Sequence, residues 1–292
     1  ICMKKPILLT GHRGQLGHEL LRSLSVLGPV LTAERSQLDL TNPDSMTRWI
    51  REHRPGLIVN AAAYTAVDKA ETDVELAWAV NARAPRILAE EAARLGAGLV
   101  HYSTDYVFAG DASAPYREAD PTAPLNVYGD SKLAGEQAVA AIGVPHLILR
   151  TSWVYGHHGQ NFVRTILRLA AERKTLRVVN DQIGTPTSSR FLADCTLALL
   201  NQDWRAQGGL YHLTPSGHTS WHGFACAIVD AARQRGQPLL LSADAIDAIP
   251  SADFPTPARR PANSRLDTQA IQQAFGLHLP DWHTVFAQHM AY

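Results

Sequence analysis

The sequence predicts an α/β protein built on a doubly wound parallel sheet, followed by a smaller, mostly C-terminal α/β part. Three observations carry this. Short apolar runs without polar alternation recur through the first half of the chain ("ILLTG", "LIVNAAA", "LVHYST", "HLILRTSWVYG"), and such strands are buried on both faces. Amphipathic helical patterns separate them, as the crossovers between parallel strands require. A loop of three glycines at a spacing of three directly follows the first strand.

The elements follow in order. "ILLTG" is a strand and "QLGHELLRSL" a helix; "VLTA" is the second strand. "PDSMTRWIREH" is the next helix, with Pro43 suited to a first turn because its missing N–H would be unpaired there. "VELAWAVNARAPRILAEEAARLG" is helical but interrupted by Pro85. The helix of "VYGDSKLAGE" comes before "HLILRTSWVYG". After about residue 155 the rhythm loosens. "NFVRTILRLAAERK", "RFLADCTLALLNQ" and "WHGFACAIVDAARQRG" are helices, with "LRVVND" and "GLYHLT" as short strands. The stretch "PSADFPTPARRPANSRLD", rich in proline and arginine, is a long loop of the kind that is either functional or disordered. We expect a dinucleotide-binding domain over 1–155 and a mainly substrate-binding part over 156–292, with interleaving segments allowed.

Composition narrows the classes. A chain of 292 residues buries a substantial core without staples. The 27 basic and 27 acidic residues balance, which leaves no electrostatic case for nucleic acid or an anionic membrane. Cys2, Cys195 and Cys226 are too scattered for a disulfide framework or a metal site and fit a reducing compartment. No apolar run is long enough to span a bilayer, and "ICMKKPILLTG" leads into a strand without the pattern of a signal peptide. The expectation is a soluble, cytoplasmic protein.

In "LLTGHRGQLGHEL", Gly11, Gly14 and Gly17 lie between a strand and the helix it feeds. Glycines let the backbone turn tightly and approach a pyrophosphate seated on the helix N-terminus. At the end of the second strand, Glu34 stands at the distance where an acid grips a ribose hydroxyl, while Arg35 beside it suits a 2′-phosphate. The pair leans toward NADPH, with NADH accepted. Asp39 and Leu40 would border the adenine.

Tyr128 and Lys132 in "VYGDSKLAGE" are one helical turn apart. A phenol of ordinary pKa, about 10, is a poor acid near neutrality, and a neighbouring ammonium draws it down. A hydroxyl at the end of an adjacent strand would orient a substrate carbonyl, and "LVHYSTDYVF" offers Ser103 and Thr104 there. In an open parallel sheet, ligands bind at the carboxyl ends of the strands. Arg259 or Arg260 in the tail would hold a diphosphate, since guanidinium suits paired phosphate oxygens.

Taken together and in order, "TGHRGQLG", "VNAAAYTAVDKAE", "HYSTDYVF", "YGDSKLAGE", "RTSWVYG", "NDQIGTPT" and "TPARRPANSRLD" resemble the dTDP-4-dehydrorhamnose reductases, a family of extended short-chain dehydrogenases with a Rossmann-type sheet. The resemblance runs from about Pro6 to "LPDWH". It implies reduction of dTDP-4-dehydro-L-rhamnose to dTDP-L-rhamnose, a precursor of lipopolysaccharide or cell-wall polysaccharide, by a monomer or homodimer. Residue by residue it implies Tyr128 as proton donor, Lys132 as its activator, and Thr104 tuning the tyrosine and touching the sugar. Gly14, Gln15 and Leu16 would line the pyrophosphate. Ala63, Tyr64, Thr65 and Tyr102 would run along the cofactor. Thr104, Asp105 and Trp153 would contact the deoxysugar, and Asn81 would be a structural asparagine. Some members bind magnesium at a dimer contact. Glu19 matches one ligand, but Arg190 stands where a second carboxylate is expected, and a guanidinium offers Mg²⁺ no oxygen. The expectation is no metal, with the associated dimer in doubt.

Three other readings compete, and of these an epimerase is disfavoured by the tail and "RTSWVYG". A 4,6-dehydratase on this fold carries an Asp-Glu pair after the active-site threonine. Here Asp105 is followed by Tyr106, so the base is missing. A non-catalytic dinucleotide-binding protein would usually lack the Tyr-Lys pair or the threonine, and all three are present.

Overall fold

In the computed structural model, residues 5–291 are described; Cys2 lies outside them. β1 (Ile7–Thr10) is fully buried and leads through the glycines into α1 (Gln15–Leu24). β2 is only Val30–Leu31. α2 (Pro43–His53) begins on its proline behind Asn42, whose side chain accepts from the Ser45 N–H. β3 (Leu57–Asn60) is followed by two short helices, α3 (Val67–Ala70) and α4 (Val74–Trp78). Pro85 has no N–H for the carbonyl four residues back. The helix therefore widens upstream of it into a π-turn over Ala79–Arg83 and resumes as α5 (Ala84–Leu95), which ends on left-handed Gly96.

β4 (Gly98–Thr104) ends in a 3₁₀ turn, Asp105–Val107. α6 (Val127–Ile142) carries the Tyr-Lys pair and is capped by Asn126, whose side chain accepts from the Gly129 N–H. β5 (His146–Thr151) stops where Trp153 adopts a left-handed backbone, φ +47°. A strand cannot pass through that conformation, so "HLILRTSWVYG" divides and β6 (Val154–Tyr155) leaves in another sheet.

The second half continues with α7 (Phe162–Glu172), β7 (Leu176–Val179), β8 (Ile183–Gly184), β9 (Thr187–Ser188) and α8 (Ser189–Leu200). Then come β10 (Gly209–His212), β11 (Thr219–Ser220), α9 (Trp221–Gln234) and β12 (Ile246–Ile249). Two helices close the chain, α10 (Gln269–Phe275) and α11 (Trp282–Met290). The proline-rich stretch before α10 holds one 3₁₀ turn, Ser251–Asp253, and is otherwise loop.

The main sheet is six-stranded and parallel, ordered β10-β5-β4-β3-β1-β2. β10, from the second half, forms one edge of it. One core packs α1 and α8 on one face through Leu20, Leu24, Leu192 and Leu199. The other packs α2, α5 and α6 through Met46, Ile50, Leu88 and Val139. A third core, around Tyr155, Phe224, Trp282 and Phe286, serves the second part. Phe224 is fully buried there, and removing such a ring costs about 3–5 kcal/mol. The carboxyl ends of β1, β3, β4 and β5 therefore lie along one edge, facing the second part.

Candidate functional site

The glycine loop is shaped by close approach. Gly11 has φ +71°, and a Cβ there would lie 2.7 Å from the Ala62 nitrogen. At Gly17 a Cβ would collide with the Gly11 carbonyl. Gly14 is the N-cap of α1 and has no side chain to fill the helix mouth. Gln15 and Leu16 open the helix, and the Gln15 side chain accepts from the Asn161 amide at 2.9 Å.

Beside this loop is a cavity of about 520 Å³ whose walls include Gly11, Gly14, Ala63 and Tyr64. Glu34, Arg35, Asp39 and Leu40 line its far end. Thr65 follows as an exposed rim residue. Glu34 is already occupied: its carboxylate accepts from Arg13 at 2.6 Å and lies 3.7 Å from His12. Asp39 is bound to the main-chain and side-chain donors of Thr41, which hold its carboxyl below the usual range, and Arg35 stands 3.8 Å from it. Asn81, set inward by the π-turn, accepts from the Tyr64 N–H and donates to the Tyr64 carbonyl and to Ser131. It ties the cavity wall to α6.

At the strand ends, Thr104 and Lys132 are buried and Tyr128 is half-buried. Burial pushes the Tyr128 phenol up to about 12, a hydrogen bond with Thr104 draws it down, and the Asp105 carboxylate adds to the rise. Lys132 is not among the groups acting on it. Its amine donates to the Tyr102 carbonyl at 2.6 Å, and burial lowers it to about 8. The phenol thus holds its proton at neutral pH, the state a donor must start from. Burial also raises Asp105 to about 6, against hydrogen bonds from Ser264 and Thr104. Its Oδ2 is buried without a partner. Tyr102 differs from expectation. Its phenol turns away from the cleft and bonds Thr196 at 2.6 Å in the α8 core, so only its carbonyl reaches Lys132.

A second cavity, of about 730 Å³, opens in the second part. Phe162, Trp221 and Phe254 give it apolar walls, and Arg173, Arg177 and Arg260 give it charge. Trp153 stacks on Trp221 with ring centres 3.6 Å apart, and Gly184 is glycine because a Cβ would lie 2.5 Å from the Trp153 indole. Arg260 donates to Asp68 at 2.8 Å and meets the Tyr106 phenol, while its Nη1 is buried and unpaired. Arg259 is exposed; its carbonyl accepts from Asn126, the cap of α6. The structure thus brings Arg260, and not Arg259, to the cavity.

Glu19 is buried and accepts from Arg22 at 3.2 Å, and Arg190 lies 4.0 Å from Asp194. Both Glu19 and Arg190 act on His157. A guanidinium in this set does not fit a hard divalent cation. No group of three or more metal-type side chains occurs among the described residues.

Sequence reasoning missed Arg13, His12, Asp68, Ser264 and Trp221. Arg13 and His12 had a signal, since they are basic residues inside the glycine loop. Trp221 had none, because 68 residues separate it from Trp153.

Comparisons with known proteins identify the family and the fold. Residues 3–291 match the family model described as the RmlD substrate binding domain. The chain is 49% identical over 285 residues to the dTDP-4-dehydrorhamnose reductase of Escherichia coli (strain K12), covering 94% of each. It is 49% identical over 282 residues to that of Burkholderia thailandensis, covering 94% of this chain and 95% of the relative. Among solved structures, the dTDP-4-dehydrorhamnose reductase of Bacillus anthracis in complex with NADP superposes with a TM-score of 0.92 at 35% identity, over 99% of both chains.

Proposed function

The chain belongs to the dTDP-4-dehydrorhamnose reductase family, and from that premise we infer that it reduces dTDP-4-dehydro-L-rhamnose to dTDP-L-rhamnose with NADPH, NADH also being accepted. One observation carries the reading. Tyr128 is hydrogen-bonded to Thr104 at the end of β4, and Lys132, one helical turn further on, is tied to the Tyr102 carbonyl of the same strand.

The dinucleotide would lie along Gly11, Gly14, Gln15, Leu16 and Gly17, with Ala63, Tyr64 and Thr65 beside it. When bound, it supplies the hydride for C4 of the sugar. Tyr128 then gives its phenolic proton to the C4 oxygen. Burial keeps that proton in place until the oxygen gains charge, Thr104 bonds the phenolate left behind, and the Lys132 ammonium, which does not act on the resting phenol, would face the charge as it forms. Asp105 and Trp153 would contact the deoxysugar, and the Trp153–Trp221 stack would form its apolar wall. Arg260 would bind the diphosphate through its unpaired Nη1.

On this reading the nucleotide site belongs mainly to 1–155 and the sugar-nucleotide site mainly to 156–292. The enzyme works in the cytoplasm as a monomer or homodimer without a metal at Glu19, and its product feeds a surface polysaccharide. No helix among the described residues is long and apolar enough to cross a membrane. The test is oxidation of NADPH and of NADH in the presence of dTDP-4-dehydro-L-rhamnose, with the product identified. No turnover with either cofactor overturns the reading.

A further inference from the structure

Helix α6 continues past the Tyr-Lys pair with a third ionisable side chain on the same face. Glu136 is one turn beyond Lys132, as Lys132 is one turn beyond Tyr128. Glu136 and Arg150 are 2% and 3% exposed, among the most buried charged groups in the chain. Arg150 grips Glu136 with two bonds, Nε to Oε1 at 2.9 Å and Nη2 to Oε2 at 2.7 Å. The Phe108 ring lies 4.9 Å beneath the guanidinium. His212 closes the far end: its Nδ1 faces the Asp267 carbonyl at 3.1 Å, so that nitrogen carries the proton. Its Nε2 therefore accepts from Arg150 Nη1, at 3.5 Å.

A buried pair of this kind is weak evidence for stability, because apolar side chains of the same shape commonly do as well. Its place in the fold gives another reason for it. Arg150 stands opposite Ser103 in the sheet register, directly before the Thr104 strand end. The pair is therefore built behind the amine that the proposed reaction uses.

We propose that the Glu136–Arg150 pair is a positioning element for Lys132: Glu136 keeps the buried amine charged, and Arg150 holds Glu136 at one turn's distance. The amine is then free to remain at the Tyr102 carbonyl. This rests on the role assigned to Lys132 under the proposed function. The ionisable groups that act on or are acted on by Lys132 are Glu136 from α6 and His101 from β4, while its amine bonds the Tyr102 carbonyl of β4. Of these, Glu136 is the group that draws Lys132 upward against burial. His101 is held neutral by burial and by Lys132 itself.

The chain has only five lysines, so ¹³C labelling at lysine Cε gives a spectrum simple enough to titrate residue by residue. The Lys132 signal is the one lost in Lys132→Arg. In the cofactor-free protein, Glu136→Gln should lower the Lys132 midpoint by about one pH unit or more, because Arg150 is left as an uncompensated cation. The double variant Glu136→Gln/Arg150→Gln should fall between that value and the parent's. The alkaline limb of kcat should move with each midpoint. Midpoints equal to the parent's in these variants overturn the proposal, as does a kcat lowered equally at every pH with the limb unmoved. Should Glu136→Gln fail to fold, the double variant decides alone: a midpoint below the parent's supports the proposal, and an equal one sinks it. The titration needs no turnover, so its failure is distinct from a failure of the proposed reaction.

Discussion

Lys132 donates from Nζ to the main-chain carbonyl of Tyr102 at 2.6 Å, joining the middle of α6 to the strand that ends in Thr104. The tether fixes the amine beside the strand end that the proposed reaction would use. Its folded-state value of about 8 lies below the 10.5 of an exposed lysine. The folded chain therefore releases this proton before the unfolded chain does. Stability rises with pH between about 8 and 10.5, and the full penalty, about 3 kcal/mol, is present below 8. Lys132→Met should thus unfold a few degrees higher than the parent at pH 7 while losing turnover. Thermal unfolding at pH 7 and pH 10 checks this; a variant less stable at pH 7 contradicts it.

Tyr128→Phe should retain the cavity and the cofactor affinity but lose about 10²–10⁴-fold in kcat. The phenol is the group that begins protonated, held up to about 12 by burial. NADPH binding followed by fluorescence, beside steady-state rates, separates the two effects. Near-normal kcat in this variant would require another donor.

Much of this was legible in the sequence for a physical reason. β1, β3, β4 and β5 are buried on both faces, so their apolar runs are unbroken, and the glycines between β1 and α1 have no substitute at Gly11 and Gly17. The placing of Tyr128 and Lys132 on one helix could be read because their spacing is helical. What could not be read depends on contacts distant in sequence. β10 joins the first sheet from the second half, and Trp153, where β5 breaks off, stacks on the distant Trp221. α10 and α11 follow a long loop, and no pattern in that loop announced them. The cofactor end was half legible: Glu34 and Arg35 were singled out, yet Glu34 is paired with Arg13.

On the proposed reading, that pairing would set cofactor choice. Arg13 and His12 occupy the carboxylate that would otherwise bind a ribose 2′-hydroxyl or repel a 2′-phosphate. Arg13→Ala should release Glu34 and move the ratio of kcat/KM values toward NADH by about tenfold, the size of one charge-assisted contact. Glu34→Gln should move it toward NADPH. Ratios that shift in the same direction for both variants would show that the pair does not govern the choice.

Asp105 gives a pH signature of opposite origin. Its folded value of about 6 exceeds the 3.8 of an exposed carboxyl. The folded chain binds this proton more tightly, so stability associated with it is complete below about 3.8 and is lost as pH rises through 6, with a loss of about 3 kcal/mol above that. Asp105→Asn should be more stable than the parent at pH 7 and should flatten the slope between pH 4 and 6.5. Chemical denaturation across that range reads the slope, and an unchanged slope contradicts the assignment.

Arg260 shows how the long loop serves the second cavity. Asp68 takes its Nη2 at 2.8 Å and also accepts from the Ala258 N–H at 3.2 Å, so one carboxylate fixes both the guanidinium and the loop that carries it. The remaining Nη1 is buried without a partner beside the cavity. An unpaired buried donor is costly, and an anionic ligand relieves it. Arg260→Ala should raise KM for the sugar nucleotide about 10–100-fold and leave NADPH affinity intact, since a charge-assisted bond contributes about 1.5–3 kcal/mol. Arg260→Lys should recover little, because an ammonium cannot bond Asp68 and a phosphate oxygen through one planar fork. Asp68→Asn should raise KM less than Arg260→Ala does, because it loosens the guanidinium without removing it. If KM is unchanged in Arg260→Ala, the diphosphate lies elsewhere in the cavity, and Arg173 and Arg177 are the cations left to hold it.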